Sequence, residues 1–147
     1  MKQDRFNRFT VSVGKLYKQI QRLKAAGMKQ YGLKGAHVAI LHLLAGRAEG
    51  VSFQEICQTC DLDRALVSRE LGELMRQGYI RKDAKGGVYH ALYYATPKAE
   101  AMLPEFLDII NRVQCKADEN ISEEELAVFY RVLEQIRKNL EDIDIDE

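Results

Sequence analysis

Two stretches, one near each end of the chain, repeat apolar side chains at alternating spacings of three and four residues. The first runs through Phe6, Phe9, Val13, Leu16, Ile20 and Leu23, and the second through Leu126, Phe129, Leu133, Ile136, Leu140 and Ile143. Such a stripe is typical of a helix that packs against another helix. We therefore predict a helix over residues 5–29, which packs either on its own domain or on a second copy of the chain. The return of the pattern at the other end favours the second copy.

Shorter apolar patterns between these stretches predict three further helices. Val38, Leu41 and Leu44 mark the buried side of a helix over residues 34–46. A capping box at Ser52-x-x-Glu55 starts the next helix, which runs to about Thr59 with its two cysteines facing the core. After a turn at residues 61–63, Asp63 caps a helix that reaches about Gln77. Two helices joined by a tight turn are typical of a helix-turn-helix motif.

The polar and apolar pattern changes to that of β-strands after Gly78. A strand starts at residues 79–82, a Gly-rich turn occupies residues 83–87, and residues 88–95 read as a second strand. Two short strands directly after the helix-turn-helix predict a wing. Thr96 then caps a long helix with Pro97 in its first turn, and a second capping box at Ser122-x-x-Glu125 opens the last helix. The predicted fold is mainly α with a small β-wing: a winged helix-turn-helix with six helices.

Composition narrows the class of protein. The 147 residues are 46% hydrophobic and 30% charged, which suits one folded chain and argues against disorder. No apolar stretch approaches the roughly 20 residues that span a bilayer, so we expect no membrane partner. The first residues lack the apolar core of a signal peptide, and we therefore expect the protein in the cytoplasm.

The net charge of zero hides an uneven distribution of charge along the chain. Residues 1–34 contain nine Lys or Arg and one acid, a net charge of +8, whereas residues 119–147 contain three basic and ten acidic residues, a net charge of −7. Opposite charges at the two ends predict that the ends lie near each other, or near the ends of a second copy.

Several local motifs, taken in order, resemble the MarR family of bacterial transcriptional regulators. They are Tyr31-Gly32-Leu33, Leu62-Asp63-x-x-Leu66-Val67-Ser68-Arg69-x-Leu71-x-x-Leu74-x-x-x-Gly78-Tyr79-Ile80, Thr96-Pro97-Lys98-Ala99, and the segment from Ser122 to Leu140. The resemblance covers essentially the whole chain. It implies a homodimer built from helices at residues 5–29 and 97–143, with a DNA-binding lobe at residues 34–96. It also implies a repressor that binds a pseudo-palindromic operator and is released by a small ligand or by oxidation.

The predicted DNA contacts combine cations for phosphates with side chains that can address base edges. Segment 64–85 contains six basic residues against three acids. A rotation of 100° per residue places Ala65, Arg69, Gly72 and Arg76 opposite the buried stripe of the second helix. Arg69 is the first candidate for a base contact. The predicted DNA-binding residues are Ser52, Gln54, Arg64, Ala65, Ser68, Arg69, Arg76, Lys82 and Lys85.

The wing departs from the family pattern. The wing of the MarR family normally carries an Asp-x-Arg element at its tip. In this chain, Val88 and Tyr89 stand where the family pattern leads us to expect basic residues. We therefore expect a phosphate contact by Lys85 rather than reading of the minor groove. For the small ligand, we expect a pocket lined by Tyr17, Tyr31 and His37, between the dimerisation helices and the DNA-binding lobe.

Cys57 and Cys60 form a C-x-x-C motif that admits three interpretations. The pair packs in the core, senses oxidants, or binds a metal, but a zinc site needs two further ligands and the sequence shows no second pair at suitable spacing. Packing is the favoured interpretation. The three histidines form no metal-ligand or catalytic set, so we expect no metal, no cofactor and no enzymatic activity. The alternatives to a DNA-binding repressor are a winged-helix adaptor that binds proteins and a cysteine-based redox sensor.

Overall fold

The computed structural model describes residues 2–87 and 90–145. The chain divides into two compact units, residues 1–109 and residues 110–147. The elements of the first unit are α1 (Lys2–Met28), a 3-10 turn (Lys29–Tyr31), α2 (Gly35–Ala45), β1 (Val51–Ser52), α3 (Phe53–Cys60), α4 (Arg64–Arg76), β2 (Ile80–Asp83) and β3 (Leu92–Ala95). The helix α5 (Pro97–Ala117) crosses the division, and α6 (Glu123–Glu141) lies in the second unit. The described residues thus confirm the predicted fold class of six helices and a small β-wing.

The sheet has three antiparallel strands in the order β1-β3-β2, one strand more than the sequence pattern predicts. β1 consists of only two residues, too few to produce an alternating pattern, and it pairs Val51 with Tyr93. β3 begins at Leu92, later than the predicted start at Val88. Val88 and Tyr89 lie outside the described residues.

The core of the first unit is formed by the predicted apolar positions of the winged-helix lobe and by one side of α5. Val38, Leu41 and Leu44 of α2 are buried, as expected, and Phe106 of α5 is fully enclosed. The side chains that pack this core are Met28, Leu33, Ile40, Val51, Ile56, Val67, Leu71, Leu74, Tyr79, Ile80, Tyr93, Ala99 and Met102. Burial of this set against water is the main stabilising contribution to the lobe.

Local capping interactions account for several helix boundaries. The Ser122 hydroxyl accepts a hydrogen bond from the Glu125 N–H, and the Glu125 carboxylate accepts one from the Ser122 N–H, which completes the predicted capping box. At α3 only half of the predicted box forms. Ser52 accepts from the Glu55 N–H at 3.2 Å, whereas the Glu55 carboxylate forms an ion pair with Arg47 at 2.8 Å.

The two apolar stripes at the ends of the chain are exposed. In the first unit, each stripe residue of α1 faces solvent, and the exposed fraction of Phe6 reaches 68%. The interpretation that α1 buries its stripe on its own domain is therefore wrong, and Met28 is the only buried side chain that α1 contributes among its described residues. In the second unit, α6 contains no buried residue, and its apolar stripe is exposed or half-buried. No helix in the described ranges is long and apolar enough to cross a membrane.

Candidate nucleic-acid interface

The turn between α3 and α4 is held by backbone geometry and by one side-chain cap. Asp61 ends α3 in the left-handed region at φ 50°, and its N–H donates to carbonyl groups of the last turn. Asp63 then starts α4 by accepting a hydrogen bond from the Leu66 N–H at 2.8 Å. These two residues determine where α4 begins and in which direction it leaves the turn.

α4 has one buried side and one exposed side. Val67, Leu71 and Leu74 are almost completely buried against the core, which leaves the opposite side of the helix in solvent. Four of the predicted DNA-binding residues lie exposed on that side: Ala65, Ser68, Arg69 and Arg76. Gly72 lies between Arg69 and Arg76, and a Cβ atom added to it would meet no other atom within 4 Å. The exposed side therefore offers two guanidinium groups beside a stretch without a protruding side chain.

Both arginines of this side contact a carboxylate on α4 itself. The Arg69 Nε lies 3.2 Å from Glu70 Oε1, and the Arg76 Nη2 lies 2.6 Å from Glu73 Oε2. The hydrogen bonds that Glu73 accepts from Arg76 and Gln77 lower the pKa of its carboxyl group, so Glu73 is charged at neutral pH. Its charge offsets part of the positive charge of Arg76, whereas Arg69 keeps an exposed side chain above a buried carboxylate.

That buried carboxylate belongs to Glu70, which sequence reasoning did not select. Glu70 is only 2% exposed and its partner His37 of α2 is fully enclosed. The His37 Nε2 lies 2.6 Å from Glu70 Oε2, a close contact without hydrogen-bond geometry. His37 Nδ1 accepts a hydrogen bond from the Lys34 N–H at the start of α2. A signal was present in the sequence, because Glu70 falls at a spacing of three from Val67 and four from Leu74, on the apolar stripe itself.

The predicted contacts near the starts of α3 and α4 are Arg64, Gln54 and Ser52, and each has its own surroundings. The Arg64 guanidinium lies over the Phe53 ring at 5.0 Å, a cation–π contact that holds an exposed cation beside the α3–α4 turn. Gln54 is exposed in the first turn of α3. The Ser52 oxygen accepts the capping hydrogen bond, which leaves its hydroxyl proton and one lone pair available to a ligand.

The wing presents cations that lie over tyrosine rings of β3. The Arg81 guanidinium is 4.2 Å from the centre of the Tyr94 ring, and Lys82 Nζ is 5.8 Å from that of Tyr93. Tyr94 lies so close to Gly50, which has φ 83°, that a Cβ there would be 2.6 Å from the ring. Arg81 was not among the predicted contacts, and because adjacent residues of a strand point to opposite faces of the sheet, it lies on the other face from Lys82. Lys85 lies exposed in the turn after β2, where its N–H donates to Asp83.

The three residues predicted to line an effector pocket have different surroundings. Tyr17 is exposed on α1, with 61% of its surface in solvent, and His37 is enclosed between Lys34 and Glu70. Burial, together with Glu105, raises the pKa of the Tyr31 phenol to about 12, and the Tyr31 carbonyl accepts a hydrogen bond from the Tyr79 hydroxyl. The pocket lined by Tyr17, Tyr31 and His37 therefore stays a prediction, with His37 buried beside Glu70.

The cysteines of α3 are half-buried thiols. The pKa of the Cys60 thiol is raised, first by burial and second by neighbouring Cys57. A reactive thiolate needs the opposite, a lowered pKa. In the described ranges, no group of three or more His, Cys, Asp or Glu side chains could hold a metal ion. Packing against the lobe is the interpretation that this geometry favours.

Comparison with known proteins places this arrangement among winged helices. The model of the MarR family matches residues 31–87, the stretch from the 3-10 turn through α4 to the wing. The chain has the fold of the MarR family. None of the curated proteins is significantly similar to the sequence.

Solved structures of MarR proteins are similar over almost the whole chain. A MarR family transcription regulator superposes with a TM-score of 0.80 at 20% identity, covering 96% of this chain and 93% of its own. A MarR protein from Peptoclostridium difficile gives 0.79 at 20% identity, covering 91% and 88%. A protein described as a MarR family transcriptional regulator from Listeria monocytogenes, in complex with 26mer DNA, gives 0.78 at 17% identity, covering 90% and 89%. These likenesses extend the MarR fold to both terminal helices.

Proposed function

We propose that this protein is a transcriptional regulator that binds double-stranded DNA in the cytoplasm. It acts as a homodimer on a pseudo-palindromic operator and represses transcription until a small ligand releases it. The observation that carries the proposal is the exposed side of α4, where Arg69 and Arg76 flank Gly72 in a winged-helix lobe that matches the MarR family. A MarR-fold protein in complex with DNA supports the same function.

The exposed side of α4 has the chemistry that a DNA groove requires. Arg69 can form a bidentate contact with guanine, worth about 1–3 kcal/mol of discrimination against other bases. Ala65 is suited to a thymine methyl group, and Ser68 can donate to a base or to a phosphate. The cations Arg64, Lys82 and Lys85 provide the phosphate contacts that set the register of the protein on the duplex, without reading its sequence.

The working unit in this proposal is a pair of chains. The exposed stripe on α1 and the exposed stripe on α6 each supply apolar surface that a second copy can cover, and monomeric proteins rarely leave large apolar patches in water. Two copies related by a two-fold axis present two α4 helices to half-sites about one helical turn (roughly 34 Å) apart. A ligand that binds better to one separation of these helices changes the affinity for the operator.

Selection of bound duplexes from a random pool tests this function. We expect an enriched sequence with two-fold symmetry, and binding that weakens steeply with salt concentration because phosphates lose their counterions on binding. Arg69→Ala should abolish the preference for the enriched site over random duplex. Arg131→Ala, which removes the same charge from α6 in the other unit, is the matched control and should keep the preference. Absence of enrichment from the unmodified protein would rule out the function.

A protein-binding adaptor of the same fold is the second candidate. Both arginines on the exposed side of α4 contact carboxylates of their own helix, which lowers the positive potential that DNA binding uses. The remaining candidate is a redox sensor, and repeating the selection with and without oxidant tests it. Only a redox sensor should show an enrichment that changes with oxidant and that depends on Cys57 and Cys60.

A further inference from the structure

Glu70 is a charged residue on the side of α4 that faces the core. Its side chain is 3% exposed, whereas that of neighbouring Arg69 is 69% exposed. A buried carboxylate is stable only where donors compensate for the water it has lost. Two donors approach its two oxygens from different elements: Arg69 Nε lies 3.2 Å from Oε1, and His37 Nε2 lies 2.6 Å from Oε2. Lys34 Nζ, at 3.9 Å from Oε2, adds a third positive group at longer range.

The contact between Arg69 and Glu70 requires a particular course of the arginine side chain. Residues adjacent in a helix point in different directions, so Arg69 reaches Glu70 only by folding its aliphatic part across the helix surface. The contact uses the Nε–H alone. Both Nη groups, which form the outer fork of the guanidinium, make no hydrogen bond to protein among the described residues. That fork is the part of arginine that pairs end-on with the O6 and N7 atoms of guanine.

His37 keeps the Glu70 carboxylate in position from the other side. Its Nδ1 accepts a hydrogen bond from the Lys34 N–H at 2.9 Å, so a neutral imidazole carries its proton on Nε2, facing Glu70. One carboxylate oxygen thus accepts a hydrogen bond from Arg69 Nε, and the other lies 2.6 Å from His37 Nε2, a close contact without hydrogen-bond geometry. An amide in its place offers one acceptor oxygen and a donor group, and can satisfy only one of these two N–H groups. The site therefore selects glutamate over glutamine of the same shape.

We infer that Glu70 is a positioning residue for sequence reading: it binds Arg69 through Nε, is fixed by His37, and aims the free fork of the guanidinium at a base edge. The inference rests on the proposed DNA-binding function and deepens it. Preorganisation of a long side chain avoids the loss of rotamer freedom on binding. Attraction of Arg69 to phosphates needs only its charge, so positioning affects specificity far more than overall affinity.

The test compares three variants with the unmodified full-length protein on the duplex selected from the random pool and on random duplex. Glu70→Gln keeps the shape and removes one acceptor. His37→Leu/Glu70→Met replaces the buried pair by apolar side chains, an exchange that folded proteins often tolerate, and releases Arg69. Glu73→Gln is the matched control, because it also removes one negative charge from α4 but leaves Arg69 and Glu70 in contact. Circular dichroism and thermal unfolding establish whether each variant folds. If Glu70→Gln does not fold, the double variant provides the test.

We expect Glu70→Gln and the double variant to lose roughly tenfold or more of their preference for the selected duplex. Their affinity for random duplex should stay equal or rise, since one acidic group near the phosphates is gone. Glu73→Gln should keep the full preference. A Glu70→Gln or double variant with unchanged preference would overturn the inference and leave the DNA-binding function intact.

The position of Arg69 has a readout without DNA. The Nε–H resonance of Arg69, assigned by its loss in Arg69→Lys, should exchange slowly with water in the unmodified protein and in Glu73→Gln. It should exchange fast in the double variant. Fast exchange in the unmodified protein overturns the inference. Slow exchange combined with no preference for any sequence overturns the DNA-binding function, and base reading by Arg69 with it.

Discussion

The most consequential contact at the scale of single residues is between His37 and Glu70. It joins α2 to the helix that carries the candidate DNA contacts, and it places two ionisable groups in the core. Removing one member of a buried pair costs more than the pair contributes, because the other member is left without a partner. Substitutions here should therefore affect stability in a non-additive way.

His37→Leu should lower the free energy of unfolding by about 3–5 kcal/mol, because it leaves the Glu70 carboxylate buried beside an apolar side chain. The double variant His37→Leu/Glu70→Met should recover most of that loss. Urea unfolding of the two single variants and the double variant measures the coupling. If the effects of the two substitutions simply add in the double variant, the two side chains do not interact directly.

Protonation of His37 adds a pH dependence to this stability. Burial, as the largest cause, lowers the pKa of His37 below its ordinary value of about 6.5, although Glu70 acts in the opposite direction. Below that value the unfolded chain binds a proton that the folded chain does not, so stability is lost as the pH falls. The slope should reach at most about 1.4 kcal/mol per pH unit.

Urea unfolding between pH 7.5 and 5.5 measures this slope. The unmodified protein should lose stability across the window, and His37→Leu/Glu70→Met should show a flatter curve because it lacks the buried imidazole. His42→Ala, which changes an exposed histidine of the same helix, should keep the slope of the unmodified protein. An identical slope in the double variant would assign the effect to other groups.

At the scale of elements, α4 combines a core-facing stripe with an exposed side that has an unusual residue at its centre. Gly72 lies in the helix interior, where glycine costs up to about 1 kcal/mol relative to alanine, and open space surrounds it. Nothing in the packing of the lobe requires a glycine there. In the proposed function, the reason for this glycine is a close approach of DNA.

Gly72→Ala should raise the free energy of unfolding by up to about 1 kcal/mol, measured by urea unfolding, because the methyl group meets no neighbour and the unfolded chain loses freedom. Gly72→Gln should leave the fold intact but weaken binding to the selected duplex, measured by fluorescence anisotropy. If Gly72→Gln binds DNA as well as the unmodified protein does, the centre of this side does not lie against the duplex.

The thiols of α3 and α5 should differ in reactivity. Cys115 is exposed, whereas Cys60 is half-buried with a raised pKa, so Cys60 carries less thiolate at neutral pH. Labelling with a thiol-reactive dye, followed by mass spectrometry, should modify Cys115 well before Cys60. Faster labelling of Cys60 would favour the redox-sensor interpretation, and Cys57→Ser/Cys60→Ser would then be expected to lose any response to oxidant.

At the scale of the whole molecule, the stripes on α1 and α6 are apolar surfaces exposed to solvent. Each presents apolar side chains at spacings of three and four residues, a pattern suited to packing against helices. A second copy of the chain is the partner in the proposed function. This makes the oligomeric state a condition for binding two half-sites.

Leu133→Glu should convert a dimer into monomers, because a charge placed in an apolar helix interface is left unpaired. Analytical ultracentrifugation measures the mass, and anisotropy should show weaker binding to a two-half-site duplex. Gln135→Glu is the matched control, since it adds the same charge to the same helix off the stripe. A monomeric unmodified protein would contradict the dimer, and a dimeric Leu133→Glu variant would place the interface elsewhere.

Local sequence determined most of the elements of this protein. Apolar residues at helical spacing marked the buried sides of α2 and α4, because a helix buries one continuous stripe. Asp63 and Ser122 act within a few residues of their own positions, so the caps at these sites were predicted from short motifs. The exposed positions of Arg69 and Arg76 followed from the same periodicity.

The tertiary structure alone decided which partners these side chains meet. β1 is too short to show a pattern and exists because β3 lies beside it. Glu55 could have completed a capping box but meets Arg47 instead, a choice that depends on where a loop passes. Glu70 and His37 are 33 residues apart in sequence, on the apolar stripes of two helices. Only the packing of α2 against α4 brings the imidazole to the carboxylate. Periodicity determines which side of a helix a residue faces, whereas long-range packing determines what it faces there.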